Sequence, residues 1–310
     1  MIISGVDEAG LGPLLGPYCA SLISIEYKGQ IKDPRKLCYA ILREKPQDER
    51  LAVGDSKQIY SSGNIRQLEQ TILSFFKLRF GEQPLSADDF FKSLLEGNTG
   101  DFLLKDSEPW HKTILEQKLP LTADKDEITG LSKKLRMQFE KKELFLKEWD
   151  LRLIRPEQFN ELLKSSTNKA TACQKILSPL LINGLFPKGK MVVDRQGGRR
   201  YYGEWLIDLY PGKLLTARQE SSQLSLYQVE EAEVSFQVGA DALCFETSLA
   251  SMTAKYAREV YMSGFNLYWK SRIPKIKATA GYYTDGKRFI ADLKTARELP
   301  GETSSLIRLK

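Results

Sequence analysis

The strongest constraint on the fold lies at the start of the chain, where a short apolar run leads into two acids and a glycine-rich turn. Residues 1–6 form the apolar run, Asp7 and Glu8 follow it, and Gly10 and Gly12 come shortly after. Neighbouring side chains of a strand point to opposite faces, but glycines permit a turn after which both acids can converge. Acids beside a turn that a ligand can approach closely indicate a metal site for a substrate that carries phosphate.

Composition narrows the class of protein. The chain has 310 residues, of which 42% are apolar, and this suits a globular protein with a sizeable core. No run of about 18 apolar residues is present and no leader segment is recognised, so we expect neither a membrane span nor a signal peptide. Four cysteines form no CxxC pair and His111 is the only histidine, which disfavours a zinc site and a disulfide framework. A cytoplasmic location is expected.

Apolar patterns that alternate between strand and helix periods predict an α/β core. Strands are predicted at 2–6, 18–27, 191–194, 214–217 and 233–238. Helices are predicted at 37–43, 66–78, 156–181 and 247–265. The charge-rich segment 81–155 has helical patterns at 87–95, 112–117 and 128–139. We therefore predict a single domain over 1–310, with a core at 1–80 and 156–310 and a mostly helical insertion at 81–155.

Two further acids stand out by their context. Asp194 ends the apolar run Met191-Val192-Val193, and Asp241 precedes the long predicted helix. Buried carboxylates are costly unless they are paired or bind a metal ion. Together with Asp7 and Glu8 they could hold two hard divalent ions about 3.5–4 Å apart. In such a site one ion can activate a water molecule and the other can stabilise developing negative charge.

The opening segment resembles the signature of ribonuclease HII, which reads roughly G-[VI]-D-E-A-G-R-G-P-x-x-G-P. Residues 5–17 agree with this pattern at every position but one, since Leu11 stands where the family has arginine. The resemblance extends to Ala240-Asp241 and to the S-x-A-S-x-x-A-K pattern at residues 248–255. It also covers the D-S-K motif at 55–57 and the segment 281–284, which is similar to the family's G-Y-G-T.

The resemblance implies a ribonuclease H-like mixed sheet flanked by helices, with Asp7, Glu8, Asp194 and Asp241 as catalytic and metal-binding residues. It implies two Mg²⁺ or Mn²⁺ ions and hydrolysis of RNA in RNA–DNA hybrids or of ribonucleotides embedded in duplex DNA. Nucleic acid is then the partner. The positions that the resemblance assigns to substrate binding are Gly10, Leu11, Gly12, Ser56, Lys57, Ser248, Ser251, Lys255 and Tyr282.

Three departures from the family mark a divergent branch. Leucine at position 11 offers no donor to a phosphate or a 2′-hydroxyl group. The proline that the family usually has after its A-D motif is absent, and Cys244 and Phe245 occupy that region. The histidine often found after G-Y-G-T is replaced by basic residues such as Lys287 and Arg288. The cleavage chemistry is therefore better supported than the substrate preference.

The formal net charge of +6 is compatible with a polyanionic partner. Arg195, Arg199 and Arg200 follow Asp194, and basic residues also surround the aromatic segment 281–284. Such clusters suit a nucleic-acid backbone, although a solvated basic face has the same pattern.

Other functions remain open at this point. A dinucleotide-binding loop at residues 10–12 is disfavoured because Pro13 and Pro17 interrupt the required helix start. A binding protein that has lost catalysis is a second alternative, although clustered acids without metals would repel a polyanion. A third is a metal nuclease of the same fold that acts on structured DNA.

Overall fold

The computed structural model describes residues 1–60, 64–95, 108–300 and 303–309. These ranges contain strands β1 (Ile2–Ala9), β2 (Tyr18–Tyr27), β3 (Leu42–Arg43), β4 (Leu51–Ala52), β5 (Leu144–Ile154), β6 (Lys190–Asp194), β7 (Leu215–Glu220), β8 (Leu224–Val229) and β9 (Ala232–Gln237). The helices are α1 (Pro34–Leu37), α2 (Ser56–Ile59), α3 (Arg66–Phe80), α4 (Ala87–Leu95), α5 (His111–Leu115), α6 (Lys125–Lys141), α7 (Pro156–Lys164), α8 (Lys169–Gly184), α9 (Gly203–Leu209), α10 (Ala240–Leu243), α11 (Phe245–Arg272) and α12 (Tyr283–Thr295).

A seven-stranded mixed sheet in the order β5-β2-β1-β6-β9-β8-β7 forms the centre of the molecule. β1, β6 and β9 run parallel, whereas β2 is antiparallel to both of its neighbours, β1 and β5. β8 and β7 extend the sheet beyond β9 by antiparallel pairing. Because β1, β6 and β9 are parallel and adjacent, their carboxyl ends lie at one edge of the sheet, where α/β proteins commonly bind ligands.

Helices cover both faces of the sheet. On one face Leu249 of α11 joins the apolar cluster that contains Ile23 of β2. On the other face Leu181 of α8 belongs to a second apolar cluster with Val6 and Val193. The mixed sheet flanked by helices confirms the α/β class predicted from the sequence.

β1 and α11 approach each other most closely at Gly5. A Cβ atom at this position would lie 2.6 Å from Thr247 Cα, and closer still to the Thr247 amide nitrogen and the Glu246 carbonyl carbon. Glycine is thus required for the first turn of α11 to rest on β1. Since Asp7 lies two residues further along the strand, its side chain leaves the same face and points toward α11.

The segment 81–155 is only partly helical. α4, α5 and α6 lie where helices were predicted, but Leu144–Ile154 is strand β5, which pairs along its length with β2. Trp149, Leu151 and Leu153 are buried at every second position, a strand pattern that the intervening charges obscure. The predicted boundary at residue 155 therefore places a strand of the central sheet in the insertion. That the remainder is an inserted subregion stays a prediction.

Two other predictions of local structure need correction, and one strand was missed. The helix predicted at 37–43 is wrong, because α1 ends at Leu37 and Leu42–Arg43 is a strand. The helix predicted at 156–181 is divided into α7 and α8, and the Asn168 side chain caps α8 by accepting from the Thr171 amide. Strand β8 was not predicted. Within the described ranges, no helix is long and apolar enough to cross a membrane.

Candidate active site

Four carboxylates lie at the carboxyl ends of three adjacent parallel strands. Asp7 and Glu8 are near the end of β1, Asp194 ends β6, and Asp241 lies in α10 shortly after β9. The parallel register of β1 and β6 places Asp7 beside Asp194. The structure therefore brings together all four acids that the sequence singled out.

Asp7 and Glu8 leave opposite faces of β1. Asp7 is on the α11 face, where Ser251 hydrogen-bonds to its carboxyl group. Glu8 is on the other face, where the Tyr18 hydroxyl and the Gln196 amide donate to its Oε2 over 3.1 and 2.9 Å. The strand itself continues to Ala9, so the glycine turn does not rotate the two acids onto one face. They are neighbours because they share the end of the strand.

Burial and mutual repulsion dominate the electrostatics of the acids. Burial first, and then the Asp194 and Glu8 carboxylates, raise the pKa of Asp7 well above its usual value. Burial also raises the pKa of Asp194 to about 6, with further contributions from Asp241 and Glu8, against hydrogen bonding by the Ala240 amide and the charge of Lys57. The positive charge around these acids is thus too small to offset their burial and their mutual repulsion.

Burial likewise raises the pKa of the outer two acids. For Glu8 the hydrogen bonds from Gln196 and Tyr18 act in the opposite direction. For Asp241 the next contribution is the carboxylate of Asp55, while the ammonium of Lys57 lowers the pKa. Asp55 therefore belongs to the electrostatic surroundings of the cluster.

The donor chemistry of this cluster fits a hard divalent cation, because carboxylate oxygens are the ligands that Mg²⁺ and Mn²⁺ prefer. In their present orientations the side chains make no complete cage. Across the described ranges, no three His, Cys, Asp or Glu side chains already form a metal-binding group. Asp7 Oδ1 accepts from the Glu8 amide and Asp194 Oδ1 accepts from the Ala240 amide. Binding an ion would require these side chains to reorient.

The D-S-K motif lies beside the acids. Asp55 caps α2 through the Lys57 amide, Ser56 is buried, and Lys57 is exposed near Asp194 and Asp241. The Ser56 and Ser251 hydroxyl oxygens are 3.3 Å apart. The motif therefore joins α11 through its serine and offers its lysine to the site.

The α11 residues assigned to substrate binding are held mainly within the protein. Ser248 is buried and its hydroxyl contacts the carbonyl oxygens of Asp241 and Cys244. Lys255 forms an ion pair of 2.7 Å with Glu259 and lies over the ring of Tyr60. These contacts suit residues that position the acids and the helix, whereas Lys57 is placed to meet a phosphate.

The turn after β1 combines a packed part and an open part. Gly10 has φ +88°, and a Cβ there would lie 2.8 Å from Arg258 Nε. Leu11 packs partly against the second apolar cluster, and its carbonyl oxygen accepts from Lys169 Nζ over 3.1 Å. Nothing lies within 4 Å of the Cβ position at Gly12. Space for a ligand therefore exists at Gly12, while the Leu11 side chain serves the core.

Tyr282 lies next to this turn. The Leu14 and Leu15 amides both donate to the carbonyl oxygen of Gly281, over 2.8 and 3.1 Å. These bonds fix the residue that precedes Tyr282, whose side chain is 51% exposed. An exposed ring beside an open backbone turn suits a nucleotide sugar or base.

Comparison with known proteins finds similarity among solved structures. No protein-family model and no curated protein sequence matches the chain. Solved structures that are similar include ribonuclease HII of Archaeoglobus fulgidus, determined with PCNA, at 13% identity and a TM-score of 0.47 over 100% of this chain and 95% of that one. Ribonuclease H2 of Pyrococcus horikoshii OT3 has 15% identity and a TM-score of 0.42, over 99% and 92%. A mutant of Bst-RNase HIII has 11% identity and a TM-score of 0.48, over 98% of this chain and 65% of that one.

The chain resembles ribonuclease HII. At these identities the similarity concerns the fold.

The two basic clusters are used in different ways. Arg195 is buried, and its guanidinium donates to the carbonyl oxygens of Ser221 and Ser222, so it braces the loop between β7 and β8. Arg199 and Arg200 are more exposed. In the other cluster the guanidinium of residue 288 pairs with two acids of α12, whereas the lysine at 287 is exposed. Only part of each cluster is thus available to a polyanion.

Sequence reasoning missed the two residues that hold Glu8. Tyr18 follows the glycine- and proline-rich turn, and Gln196 lies two residues after Asp194 in the turn that ends β6. Their proximity to the motifs in the sequence was the available signal. The contact itself depends on the pairing of β2 with β1 and of β1 with β6, which no local pattern reveals.

Proposed function

We propose that this protein is a divalent-metal-dependent endonuclease that hydrolyses the RNA strand of RNA–DNA hybrids, or ribonucleotides embedded in duplex DNA. The observation that carries the proposal is the cluster of Asp7, Glu8, Asp194 and Asp241 at one edge of the sheet. Burial raises the pKa of all four acids, and neighbouring carboxylates raise it further for all of them except Glu8. Such a cluster is costly to the free protein. A bound cation would relieve that cost.

In this proposal the four carboxylates hold two Mg²⁺ or Mn²⁺ ions. Bound in this way, the ions supply a nucleophilic water and stabilise the negative charge that develops on the scissile phosphate and the leaving oxygen. The protein's own task is to hold the carboxylates where they are needed. Tyr18 and Gln196 orient Glu8, the Ala240 amide orients Asp194, and Ser251 hydrogen-bonds to Asp7.

The substrate would lie across the carboxyl edge of the sheet. Lys57 would contact a phosphate close to Asp194 and Asp241, because its exposed ammonium acts on both carboxyl groups. At Gly12 the open backbone would meet the ribose edge, where a 2′-hydroxyl can donate and accept. Tyr282 would stack on the recognised nucleotide.

The position of Leu11 bears on substrate choice. The leucine side chain packs inward and cannot donate to the bound strand. Recognition of the ribose would therefore depend on backbone groups of the turn and on Tyr282, without the guanidinium that ribonuclease HII has at this position. We expect weaker discrimination between one embedded ribonucleotide and a longer RNA tract.

The test is cleavage of three labelled duplexes in Mg²⁺ or Mn²⁺. One duplex contains a single ribonucleotide, one is an RNA–DNA hybrid, and one is entirely DNA. Asp7→Asn is the inactive variant, and Asp126→Asn is the matched control, since Asp126 lies on the exposed first turn of α6. We expect metal-dependent cuts at ribose positions by the natural protein and by Asp126→Asn, and none by Asp7→Asn.

Two results would contradict the proposal. Cutting of the all-DNA duplex at a similar rate would favour a metal nuclease with another substrate. Binding of all duplexes without cutting in either metal would favour a protein that retains the fold and binds nucleic acid without catalysis. In that case Asp7→Asn would leave the affinity unchanged.

A further inference from the structure

One buried guanidinium lies between the turn after β1 and the segment that carries Tyr282. Arg258 of α11 is 1% exposed. Three glycines with positive φ surround it, and a Cβ would lie 2.8 Å from its Nε at Gly10, 3.6 Å from its Nη2 at Gly16 and 3.1 Å from its Nη2 at Gly281. Both chain segments therefore have glycine at the positions where a side chain would collide with or crowd this guanidinium.

The guanidinium bonds to both segments at once. Its Nη2 donates to the carbonyl oxygen of Leu15 over 3.1 Å and to that of Ala280 over 2.9 Å. Its Cζ lies 5.6 Å from the centroid of the Tyr282 ring, within the range of a cation–π contact. One side chain thus connects α11, the turn after β1 and the exposed tyrosine.

Packing alone does not explain a charge at this place. Nε and Nη1 of Arg258 have no hydrogen-bond partner among the described residues, and incompletely bonded buried charges destabilise a fold. An apolar side chain of similar length would fill the same space at lower cost. Methionine or leucine could supply neither the planar fork of N–H donors nor the positive charge that lies over the Tyr282 ring.

We propose that Arg258 is a positioning residue for nucleotide recognition, which sets the Tyr282 ring and the turn after β1 as one rigid surface. This inference rests on the proposed function, since that surface is the one assigned to the substrate sugar. Arg258 does not touch the substrate in this scheme. It acts through Tyr282 and through the backbone of the turn.

The first experiment needs no substrate. Amide hydrogen exchange in the free protein is compared for the natural chain, Arg258→Met, Arg258→Lys and the control Arg43→Met. Arg43 is also a buried arginine, but it lies in β3 and pairs with Asp48. We expect Arg258→Met to speed exchange in residues 10–16 and 279–284 together by roughly tenfold. Arg258→Lys should restore this only in part, because an ammonium lacks the planar fork.

The second experiment measures coupling in duplex binding. All proteins carry Asp7→Asn so that no strand is cut, and the probe is a labelled duplex with one ribonucleotide in Mg²⁺. We expect Arg258→Met to weaken the Kd by roughly tenfold when Tyr282 is present and by less than about threefold in a Tyr282→Ala protein, as expected for residues that act as a unit. Arg43→Met should lower the Tm without changing the Kd.

The outcomes separate this inference from the proposed function. Unchanged exchange in both segments, or effects of Arg258→Met and Tyr282→Ala on Kd that simply multiply, would overturn the positioning role even if the enzyme cuts ribonucleotides. Faster exchange and coupled binding in a protein whose natural form cuts no duplex would support the positioning role and contradict the nuclease proposal alone.

Discussion

Gly5→Ala tests whether the close approach of β1 and α11 builds the site. The added Cβ would meet backbone atoms of Glu246 and Thr247, with Thr247 Cα at 2.6 Å where ordinary contacts begin at 3.4 Å. Backbone cannot rotate away as a flexible side chain can, so the first turn of α11 has to retreat by about 1 Å. Overpacking of this kind costs typically 1–3 kcal/mol and occasionally more. We expect about 3 kcal/mol, which corresponds to a loss of roughly 5 °C or more in Tm for a domain of this size.

The same shift should impair the chemistry. Ser251 hydrogen-bonds to Asp7 from α11, so a retreat of the helix separates the positioning serine from its acid. We expect cleavage to fall at temperatures where Gly5→Ala is still folded, because displacements of about 1 Å near a reacting group can cost roughly a hundredfold in rate.

Urea unfolding and duplex cleavage would be measured for Gly5→Ala beside Gly130→Ala. Gly130 lies in α6, where nothing is within 4 Å of the Cβ position, so alanine should stabilise that helix by about 1 kcal/mol. A Gly5→Ala protein with the unfolding midpoint and the cleavage rate of the natural chain would refute the packing argument.

Three further changes have defined outcomes. Glu69→Gln should destabilise the protein by about 2–4 kcal/mol in urea unfolding, because the buried carboxylate accepts from three successive backbone amides; equal midpoints for this variant and the exposed control Glu140→Gln would contradict this. Asp7→Asn should raise the Tm of the metal-free protein at pH 8 by a few degrees, because it removes an acid whose pKa is raised by burial, by Asp194 and by Glu8. Adding Mn²⁺ should stabilise the natural chain more than this variant, whereas a lower Tm in the metal-free variant would contradict the repulsion between the acids. Leu11→Arg should lower the free energy of unfolding by about 1 kcal/mol, because apolar packing is lost, and it should shift cleavage toward single ribonucleotides. Unchanged relative cleavage rates on the hybrid and the single-ribonucleotide duplex would show that the side chain at position 11 does not set the preference.

The sequence predicted the strands that carry the acids better than the elements around them. β1, β2 and β6 have apolar cores bounded by turns, so their local patterns are clear. β5 alternates buried residues such as Trp149 and Leu151 with charges, as suits an edge strand that must not pair with other molecules. In a charge-rich segment that alternation was overlooked. The helix predicted at 37–43 failed because α1 ends after Leu37 and the chain then joins the small β3–β4 sheet.

The four acids of the candidate site could be singled out from the sequence because each follows an apolar run or a glycine turn. Their partners could not, because Tyr18, Gln196 and Asp55 reach the acids through strand pairing and helix docking. The roles of Ser248 and Lys255 also depend on tertiary contacts. Spacing placed both on α11, but only the fold shows that one is buried against backbone carbonyls and the other is paired with Glu259.

At the carboxyl edge of the sheet the clustered acids that the proposed function needs destabilise the fold. The packing of α11 against this edge offsets that cost. The acids repel one another, and burial raises the pKa of Asp7 and Asp194, so without a cation this edge favours opening. Gly5 allows α11 to dock directly on β1, and Arg258 ties the same helix to the turn that follows the strand. The strand that carries Asp7 is thus clamped on both sides of the acid by one helix. A strained acidic edge can be kept in a fixed place only if its support is rigid, and for this reason the substitutions that loosen α11 should impair the site before they unfold the protein.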